Sequence, residues 1–302
     1  MRKYKNTNCK SYSSKQYLTT MKAKKTFLYM LMLSSIGLTT SCLSEVKDLE
    51  PNDGNNTTEQ KGQLVLNLSA STDFAPQTRA LNEANYRNTD NYTVQLINAA
   101  SGNVMFECLG SEVSSNLPKT LEIGSYEVKA FYGTESAASR SDFRVEGSTT
   151  FQIQANDTKT VNVSCLPTCG RVKVNFDDEM ATYYSDYNVS FGGTSALGTN
   201  TFAWAKADTD PWYVAVNNTG ETINYTISVT AKEEYAHVDG NGVKQTAGTA
   251  TGSFQLKRNA GYKLNVKPQY TPTTEGGIKV VITIDESTND RPVTIEVPLT
   301  WI

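Results

Sequence analysis

The sequence predicts an all-β protein with two tandem β-sandwich domains that follow a signal peptide and a flexible tether. Three observations carry this prediction. Segments with apolar residues at every second position recur along the chain, which is the pattern of strands with one buried face. Turn residues separate these segments at the short spacing that is typical of sandwiches. Of the 302 residues, those after residue 41 are enough for two domains of about 125 residues each.

Residues 1–41 have the order of segments of a secretory signal peptide. Met21 is followed by three lysines within four residues, by an uncharged apolar run over residues 26–38 and by small residues directly before Cys42. The apolar run is shorter than the about 20 residues that span a bilayer. Residues 1–20 carry no feature of a folded segment, so Met21 is a candidate for the true start of the chain.

The position of Cys42 resembles the lipobox of bacterial lipoproteins, in which a cysteine follows small residues. In such proteins the cysteine thiol takes a diacylglycerol and the signal peptide is cut before it. The resemblance therefore implies a lipid anchor on Cys42. A lipobox usually has leucine three positions before the cysteine, whereas Leu38 lies four before it; an ordinary signal peptide with an incidental cysteine is the alternative.

The chain that follows the signal peptide is acidic. Residues 1–41 contain eight of the 28 Lys and Arg residues and none of the 31 Asp and Glu residues. Their removal leaves a net charge of about −11 instead of −3, which disfavours contact with nucleic acid and anionic lipid. Residues 42–61 are polar, acidic and rich in turn residues, and we predict that they form a lipidated flexible tether.

The first predicted domain, an N-terminal β-sandwich, covers residues 62–167. Leu64, Leu66 and Leu68 alternate in its first strand. Two hairpins and a strand–Gly–strand unit follow, at residues 91–107, 151–163 and 121–132.

The second predicted domain, a C-terminal β-sandwich, covers residues 168–302 and repeats this style. The boundary is placed where CLPTCG interrupts the strand pattern. Asp177 can cap one helical turn at residues 177–184. Strands are predicted at residues 171–176, 187–191, 212–216, 225–231, 254–256, 262–266, 278–284 and 293–301.

The segment LEIGSYEVKA, residues 121–130, resembles the strand–turn–strand unit of immunoglobulin/transthyretin-like modules. With the lipoprotein start, TRA at residues 78–80 and VNVSC at residues 161–165, the chain resembles a Bacteroides lipoprotein family of unknown function, domain of unknown function 4493. The resemblance covers nearly all of residues 62–302. It implies the sandwich fold and no chemistry.

The chain also resembles fimbrillin-like pilins of the same bacterial group, which are lipoproteins with two sandwiches in tandem. In them a protease cuts after an arginine that follows the first strand, and a neighbour's strand fills the groove. Arg79, in PQTRALNE, holds this place, so the resemblance implies proteolytic processing there; an ordinary connecting loop is the alternative. The last predicted strand would be the donor, but Pro298 interrupts its hydrogen-bonding ladder.

Few side chains suggest catalysis or metal binding. His237 is the one histidine of the chain and is expected at the surface beside the turn DGNG. Asp239 and Asn241 resemble the start of a calcium loop, but the later oxygen ligands are missing. Acids at residues 177–179 and 233–234 fit a capped helix and a solvated strand better than a glycosidase pair. The sequence predicts no metal, no cofactor and no enzyme activity.

Three cysteines remain after Cys42 if that residue carries a lipid. Export permits disulfides, and Cys165 and Cys169 are close enough in sequence to form one if the segment CLPTC turns back on itself. Cys108 is expected to be a small buried residue.

Aromatic residues cluster around the polar loop AKADTDP. Trp204, Trp212 and Tyr213 could present flat rings that stack on sugars. The alternation of Trp212, Val214 and Val216 favours a place in the core instead.

These observations predict a non-catalytic lipoprotein of the outer membrane, exposed at the cell surface, with a role in adhesion or fimbria-like assembly. A glycan-binding surface lipoprotein is the alternative. The predicted partners are the membrane, through the lipid on Cys42, and other surface or pilus subunits or glycans. Nucleic acid is not a predicted partner.

Overall fold

The computed structural model describes residues 60–72, 74, 81–270, 278–286, 293–298 and 300–301. The predicted signal peptide, almost all of the tether, Cys42 and Arg79 lie outside these residues. Within the described ranges, no helix has the length and apolar character needed to cross a membrane.

Short strands build the N-terminal half, which we define as residues 60–167. Single helical turns interrupt the loops between them, among them α1 (Val113–Asn116). The strands are β1 (Lys61–Ala70), β2 (Thr93–Asn98), β3 (Val104–Leu109), β4 (Thr120–Glu122), β5 (Gly124–Tyr132), β6 (Ala138–Ser139), β7 (Val145–Ile153) and β8 (Thr158–Pro167).

All of these strands except β6 form one sheet, in the order β3-β2-β5-β7-β8-β1-β4. The pairs are antiparallel except for β1 and β8, which run parallel from the pair Gln63–Thr158 to the pair Ala70–Cys165. Inward side chains of β2, β5 and β7 meet those of β1 and β8 in one core, so the sheet closes on itself as a sandwich. This core includes Leu64, Val94, Leu96, Val128, Ala130, Val145, Ile153, Val161 and Val163.

The C-terminal half, residues 168–301, begins directly after β8. A single turn of helix, α2 (Met180–Tyr183), follows its first strand. The strands are β9 (Cys169–Phe176), β10 (Tyr184–Gly192), β11 (Phe202–Ala205), β12 (Trp212–Ala215), β13 (Glu221–Ala231), β14 (His237–Val238), β15 (Lys244–Gln245), β16 (Ala247–Leu256), β17 (Gly261–Tyr270), β18 (Ile278–Glu286), β19 (Val293–Pro298) and β20 (Thr300–Trp301).

Two sheets enclose the core of the C-terminal half. One has the order β11-β10-β13-β16-β20, and the other has the order β19-β18-β17-β9-β12-β6, so that β6 of the N-terminal half completes it. The strands β14 and β15 form a small separate hairpin. The core between the sheets includes Val172, Val174, Val189, Phe191, Trp204, Ile223, Ile227 and Leu264.

The two halves share one topology. β1 runs parallel to β8 and antiparallel to the short β4, and β9 likewise runs parallel to β17 and antiparallel to the short β12. The hairpin β2–β3 corresponds to β10–β11, and β5 and β7 correspond to β13 and β16. The all-β sandwich fold predicted from the sequence is confirmed. The exact domain limits stay a prediction, since only Thr168 separates β8 from β9.

The predicted helical turn is shorter than the pattern indicates. It covers α2 alone, because Tyr184 already belongs to β10. Asp177 acts at its start, where Oδ1 accepts the backbone N–H of Glu179 over 3.0 Å. The short strands β6, β11, β14 and β15 were not predicted, since two to four residues carry too little alternation to stand out.

Gly133, directly after β5, tests how tightly the turns are specified. Its φ of +79° suits glycine, and a Cβ there would overlap the carbonyl oxygen of Phe143. We expect Gly133→Ala to lower the free energy of unfolding by about 2–3 kcal/mol in urea denaturation. Gly102 has a φ of +69° with open space around it, so Gly102→Ala should lose only about 1 kcal/mol. Equal losses would contradict the close approach at Gly133.

Candidate functional site

β1 becomes an edge strand of its sheet beyond its first three residues, because β4 pairs with Lys61–Gln63 only. Gln63 and Ser71 donate their backbone N–H groups to carbonyls next to the two ends of the β8 ladder, over 2.7 Å and 3.1 Å. Backbone groups alternate in direction along a strand. The backbone N–H and C=O groups of the even-numbered residues from Leu66 onward therefore point away from β8. On that side the described residues supply no further strand.

The inner face of β1 closes the N-terminal core. Leu64 is 3% exposed, and Leu66 and Leu68 are half-buried against the same core. The register partners of Leu66 and Leu68 on β8, Val161 and Val163, are buried. A fully buried aliphatic side chain is worth about 1.5–3 kcal/mol relative to an exposed one. Loss of β1 would therefore leave an apolar groove beside β8.

The chain that follows β1 is held against both halves. Arg87 donates from Nε to Thr72 Oγ1 over 3.0 Å and from Nη2 to the Thr72 carbonyl over 3.2 Å. Two residues further on, Phe74 is 2% exposed. The centroid of its ring lies 5.6 Å from that of Phe143 in the N-terminal half and 5.8 Å from that of Tyr213 in β12. Phe74 thus connects the end of β1 to the C-terminal half.

A buried ion pair lies beside Phe74. Arg171 Nη1 of β9 donates to Glu83 Oε1 over 3.0 Å, and the hydroxyl of Tyr213 donates to the same oxygen over 2.6 Å. The side chains of Glu83 and Arg171 are each 6% exposed. Arg171 Cζ lies 5.2 Å from the centroid of the Phe74 ring, within the range of a cation–π contact. We call Phe74, Glu83, Arg171 and Tyr213 the junction cluster.

Burial keeps the hydroxyl of Tyr213 and the thiol of Cys169 protonated. Burial raises the pKa of Tyr213, and its hydrogen bond to Glu83 raises that pKa further. Burial also raises the pKa of the Cys169 thiol, with a smaller contribution from Glu83. Both groups are therefore protonated at neutral pH, and Tyr213 donates its proton to Glu83.

A second contact between the halves involves no residue of β1 or of its extension, by which we mean the described residues 71, 72 and 74 that follow it. β6 pairs with β12, and next to β6 Arg140 reaches over the C-terminal half. Arg140 Nη2 lies 2.6 Å from Asp208 Oδ2, and Arg140 Cζ lies 4.7 Å from the centroid of the Trp212 ring. The hydrogen bond from Arg140 lowers the pKa of Asp208, so this carboxylate is ionised at neutral pH.

The structure buries two of the three rings that could have formed a platform for sugars, in agreement with the core position that the alternation favours. Trp204 and Tyr213 are each 1% exposed, and they belong to different cores. Trp212 is half-buried, and the guanidinium of Arg140 lies over its ring. Val214, two residues after Trp212, is buried, as the alternation of this strand indicates. These rings fill the interior instead of presenting faces to solvent.

The possible bridge between Cys165 and Cys169 does not form in the structure. Neither thiol is in a disulfide, and both are buried; Cys108 is buried as well. CLPTC does not turn back, because Cys165 lies in β8 and Cys169 begins β9. An extended chain separates Cα atoms four residues apart by about 13 Å, whereas a disulfide allows at most about 7 Å. The Cys165 thiol points at the carbonyl of Ala130 over 3.7 Å, and burial raises its pKa to about 12.

The polar candidates for metal binding act as local structure. Within the described part of the chain, no group of His, Cys, Asp and Glu could hold a metal ion. His237 is half-buried at the start of β14. Asp239 Oδ1 accepts the backbone N–H groups of Asn241 and Val243, each over 2.9 Å. Asp239 therefore closes the turn of the β14–β15 hairpin.

No local pattern in the sequence identifies the junction cluster. Glu83 and Arg171 lie 88 positions apart. The one available signal is the position of Arg171 in β9: Val172 and Val174 face the C-terminal core, and Arg171 lies on the opposite face, which Cys169 shares. A charged side chain on a strand with two buried faces requires a buried partner.

The described residues define an all-β protein with two sandwich cores that meet at a buried ion pair. The chain belongs to the family described as Domain of unknown function (DUF4493), whose model matches residues 60–299. The family predicted from the sequence is thereby confirmed.

The chain is also similar to solved structures of fimbrial proteins. One is a fimbrial assembly protein from Parabacteroides distasonis, at 12% identity and a TM-score of 0.39, over 78% of this chain and 98% of that chain. Another is the fimbrial anchor protein Mfa2 from Porphyromonas gingivalis, at 10% identity and a TM-score of 0.38, over 77% of this chain and 99% of that chain. No curated protein matches the chain.

Replacing Arg171 tests the buried ion pair. In Arg171→Met, Glu83 stays buried without its cation, so we expect the free energy of unfolding to fall by about 3–5 kcal/mol in urea denaturation. Lys244 is the matched control, since its contact with Glu233 is exposed at both side chains. Lys244→Met should lose no more than about 1 kcal/mol. Similar losses in the two variants would show that Arg171 is not part of a dry ion pair.

Proposed function

We propose that the protein is a non-catalytic surface lipoprotein that takes part in adhesion or fimbria-like assembly by exchanging its first strand. In this proposal β1 leaves the N-terminal half, and an extended strand of another subunit takes its place. The edge position of β1 carries the proposal: beyond Gln63, β8 is its one partner among the described strands. Among strand pairings, departure of β1 breaks one long ladder and a three-residue contact with β4.

The groove left by β1 would bind an incoming strand in two ways. β8 would offer the backbone groups that now pair with β1 along its length, and unpaired strand edges favour a new partner. The buried side chains of Val161 and Val163 would require apolar residues at every second position of the incoming strand. Leu64, Leu66 and Leu68 of β1 show the pattern that fits.

The equivalent strand of the C-terminal half, β9, is not proposed to exchange. It lies between β17 and β12, and it continues the chain from β8. Arg171 on β9 is buried in the junction cluster. Removal of β9 would break both halves, which supports exchange in the N-terminal half alone.

Cleavage after Arg79 is the proposed event that frees β1. Arg79 itself lies outside the described residues, between Phe74 and Leu81. A cut there would release β1 with its extension and would leave β2 to β8 connected.

The last described strands, β19 and β20, are paired within their own half, which supports a role of this protein as the acceptor of a strand. β19 pairs with β18 up to Pro298, which stands opposite Lys279 at the end of the ladder, where a missing N–H is tolerated. β20 then pairs with β16 in the other sheet. Because these strands complete the two sheets of their own half, we propose that the exchanged strand comes from a different subunit.

Glycan binding has less support than strand exchange. Trp204 and Tyr213 are buried, and Arg140 lies over Trp212. A sugar would have to displace this guanidinium before it could stack on the ring.

Labelling of living cells with a palmitate analogue tests the proposed outer-membrane anchor. We expect the full chain to take up the label and Cys42→Ala to lose it. Cys108→Ala is the matched control and should label normally, because Cys108 is a buried thiol in β3. Label that persists in Cys42→Ala would place the lipid on another residue and would refute the anchor.

Binding of a fluorescent peptide tests strand exchange in the mature protein. After treatment with an arginine-specific protease, a peptide with the sequence of residues 61–70 should bind, as measured by fluorescence anisotropy, because the groove of β1 becomes available. Arg79→Lys protein, which this protease does not cut at position 79, should not bind it. A peptide with Asp in place of Leu64, Leu66 and Leu68 should fail as well. Absence of binding to the cut protein, or equal binding of the Asp peptide, would refute the proposal.

A further inference from the structure

The junction cluster combines residues of both halves with the extension of β1. Phe74 belongs to the extension, and Glu83 follows it in the N-terminal half. Arg171 and Tyr213 come from β9 and β12 of the C-terminal half. The proposed cut after Arg79 would fall between Phe74 and Glu83. It would therefore separate Phe74, which packs on the ion pair, from Glu83, which forms it.

The ion pair depends on being dry. Glu83 Oε1 accepts the hydrogen bonds from Arg171 and Tyr213. Glu83 Oε2 is buried without a partner among the described residues. A pair of this kind holds well only while water is kept out and its added hydrogen bonds are intact. In contact with water, the same pair would contribute little. Phe74 lies against the guanidinium of Arg171 and against the ring of Tyr213, so it covers the pair on this side.

We infer that the junction cluster couples the first strand to the contact between the two halves: when β1 leaves, Phe74 leaves with it, water reaches Glu83 and Arg171, and the junction loosens. The inference deepens the proposed function and rests on it for its biological role. The contact of β6 with β12, together with the Arg140–Asp208 pair, contains no described residue of β1 or of the segment that follows it. The halves therefore stay joined there and gain freedom only around the junction cluster.

The thiol of Cys169 is a built-in probe of this opening. It is 3% exposed, it shares the face of β9 with Arg171, and its burial suppresses the reactive thiolate. Cys108 lies in β3, at the far edge of the N-terminal sheet, and reports opening of the core instead. Maleimide labelling followed by peptide mass mapping measures the rate at each cysteine separately in the full mature chain.

Phe74→Ala removes the cover while β1 stays in place. We expect Cys169 to label at least about tenfold faster than in the unchanged protein, with the Cys108 rate unchanged, because local opening exposes only the junction. Phe151→Ala is the matched control, since Phe151 is a ring of the same core that stacks on Tyr126. It should not raise the rate at Cys169 relative to Cys108. An unchanged Cys169 rate in Phe74→Ala would overturn the coupling.

A milder variant decides the case if Phe74→Ala also exposes Cys108. In Phe74→Leu, a smaller apolar side chain covers the ion pair in part, so Cys169 should label faster than in the unchanged protein at a constant Cys108 rate. No acceleration in this variant would overturn the inference. These measurements need neither cleavage nor assembly. Faster labelling in a protein that fails to bind the strand peptide would leave the coupling standing and refute strand exchange.

Discussion

The parallel pairing of β1 with β8 is the interaction on which the arrangement of both halves depends. It joins residues 95 positions apart along the chain, and on its outer face Asn67 Nδ2 donates to Asn162 Oδ1 over 2.9 Å. β1 pairs with β8 along its length, and β8 continues into β9 after Thr168. The second sandwich therefore starts directly at the end of this pairing. There β9 repeats the arrangement by running parallel to β17. A single topological rule, in which the first strand of each half closes beside a late strand of that half, accounts for both cores.

The contact between the halves uses two kinds of interaction that differ in their relation to water. The junction cluster is dry, and its geometry is set by hydrogen bonds from Arg171 and Tyr213 to one oxygen of Glu83. The contact around Arg140 is partly exposed, so it tolerates hydration. Buried ion pairs often add little net stability over apolar residues of the same size. Removing one member of such a pair costs more, because it leaves the other charge buried without its counter-ion.

Sequence reasoning succeeded where the signal is local. Alternation at Leu64, Leu66 and Leu68 identifies β1, and the alternation of Trp212 with Val214 points to the interior, as the structure shows for Val214. It failed where a feature depends on distant partners. The ring chemistry of Trp204 and Tyr213 suits sugars and cores equally, and only the tertiary fold decides between them. The bridge at CLPTC required a turn, but pairing of β8 and β9 with other strands keeps this segment extended. The ion pair between Glu83 and Arg171 joins two segments with no shared pattern.

The long separation of β1 from β8 has a kinetic consequence. Contacts between residues far apart in sequence form slowly, because the chain must close a large loop before any of the ladder is gained. During synthesis and export, β1 emerges well before β8 exists, whereas the hairpin β2–β3 and its neighbour β5 can pair at once. We therefore expect β1 to join the N-terminal sandwich in its final folding step. Under the same conditions an unfolding path retraces the folding path, so the strand that closes the sandwich last is also the first to detach.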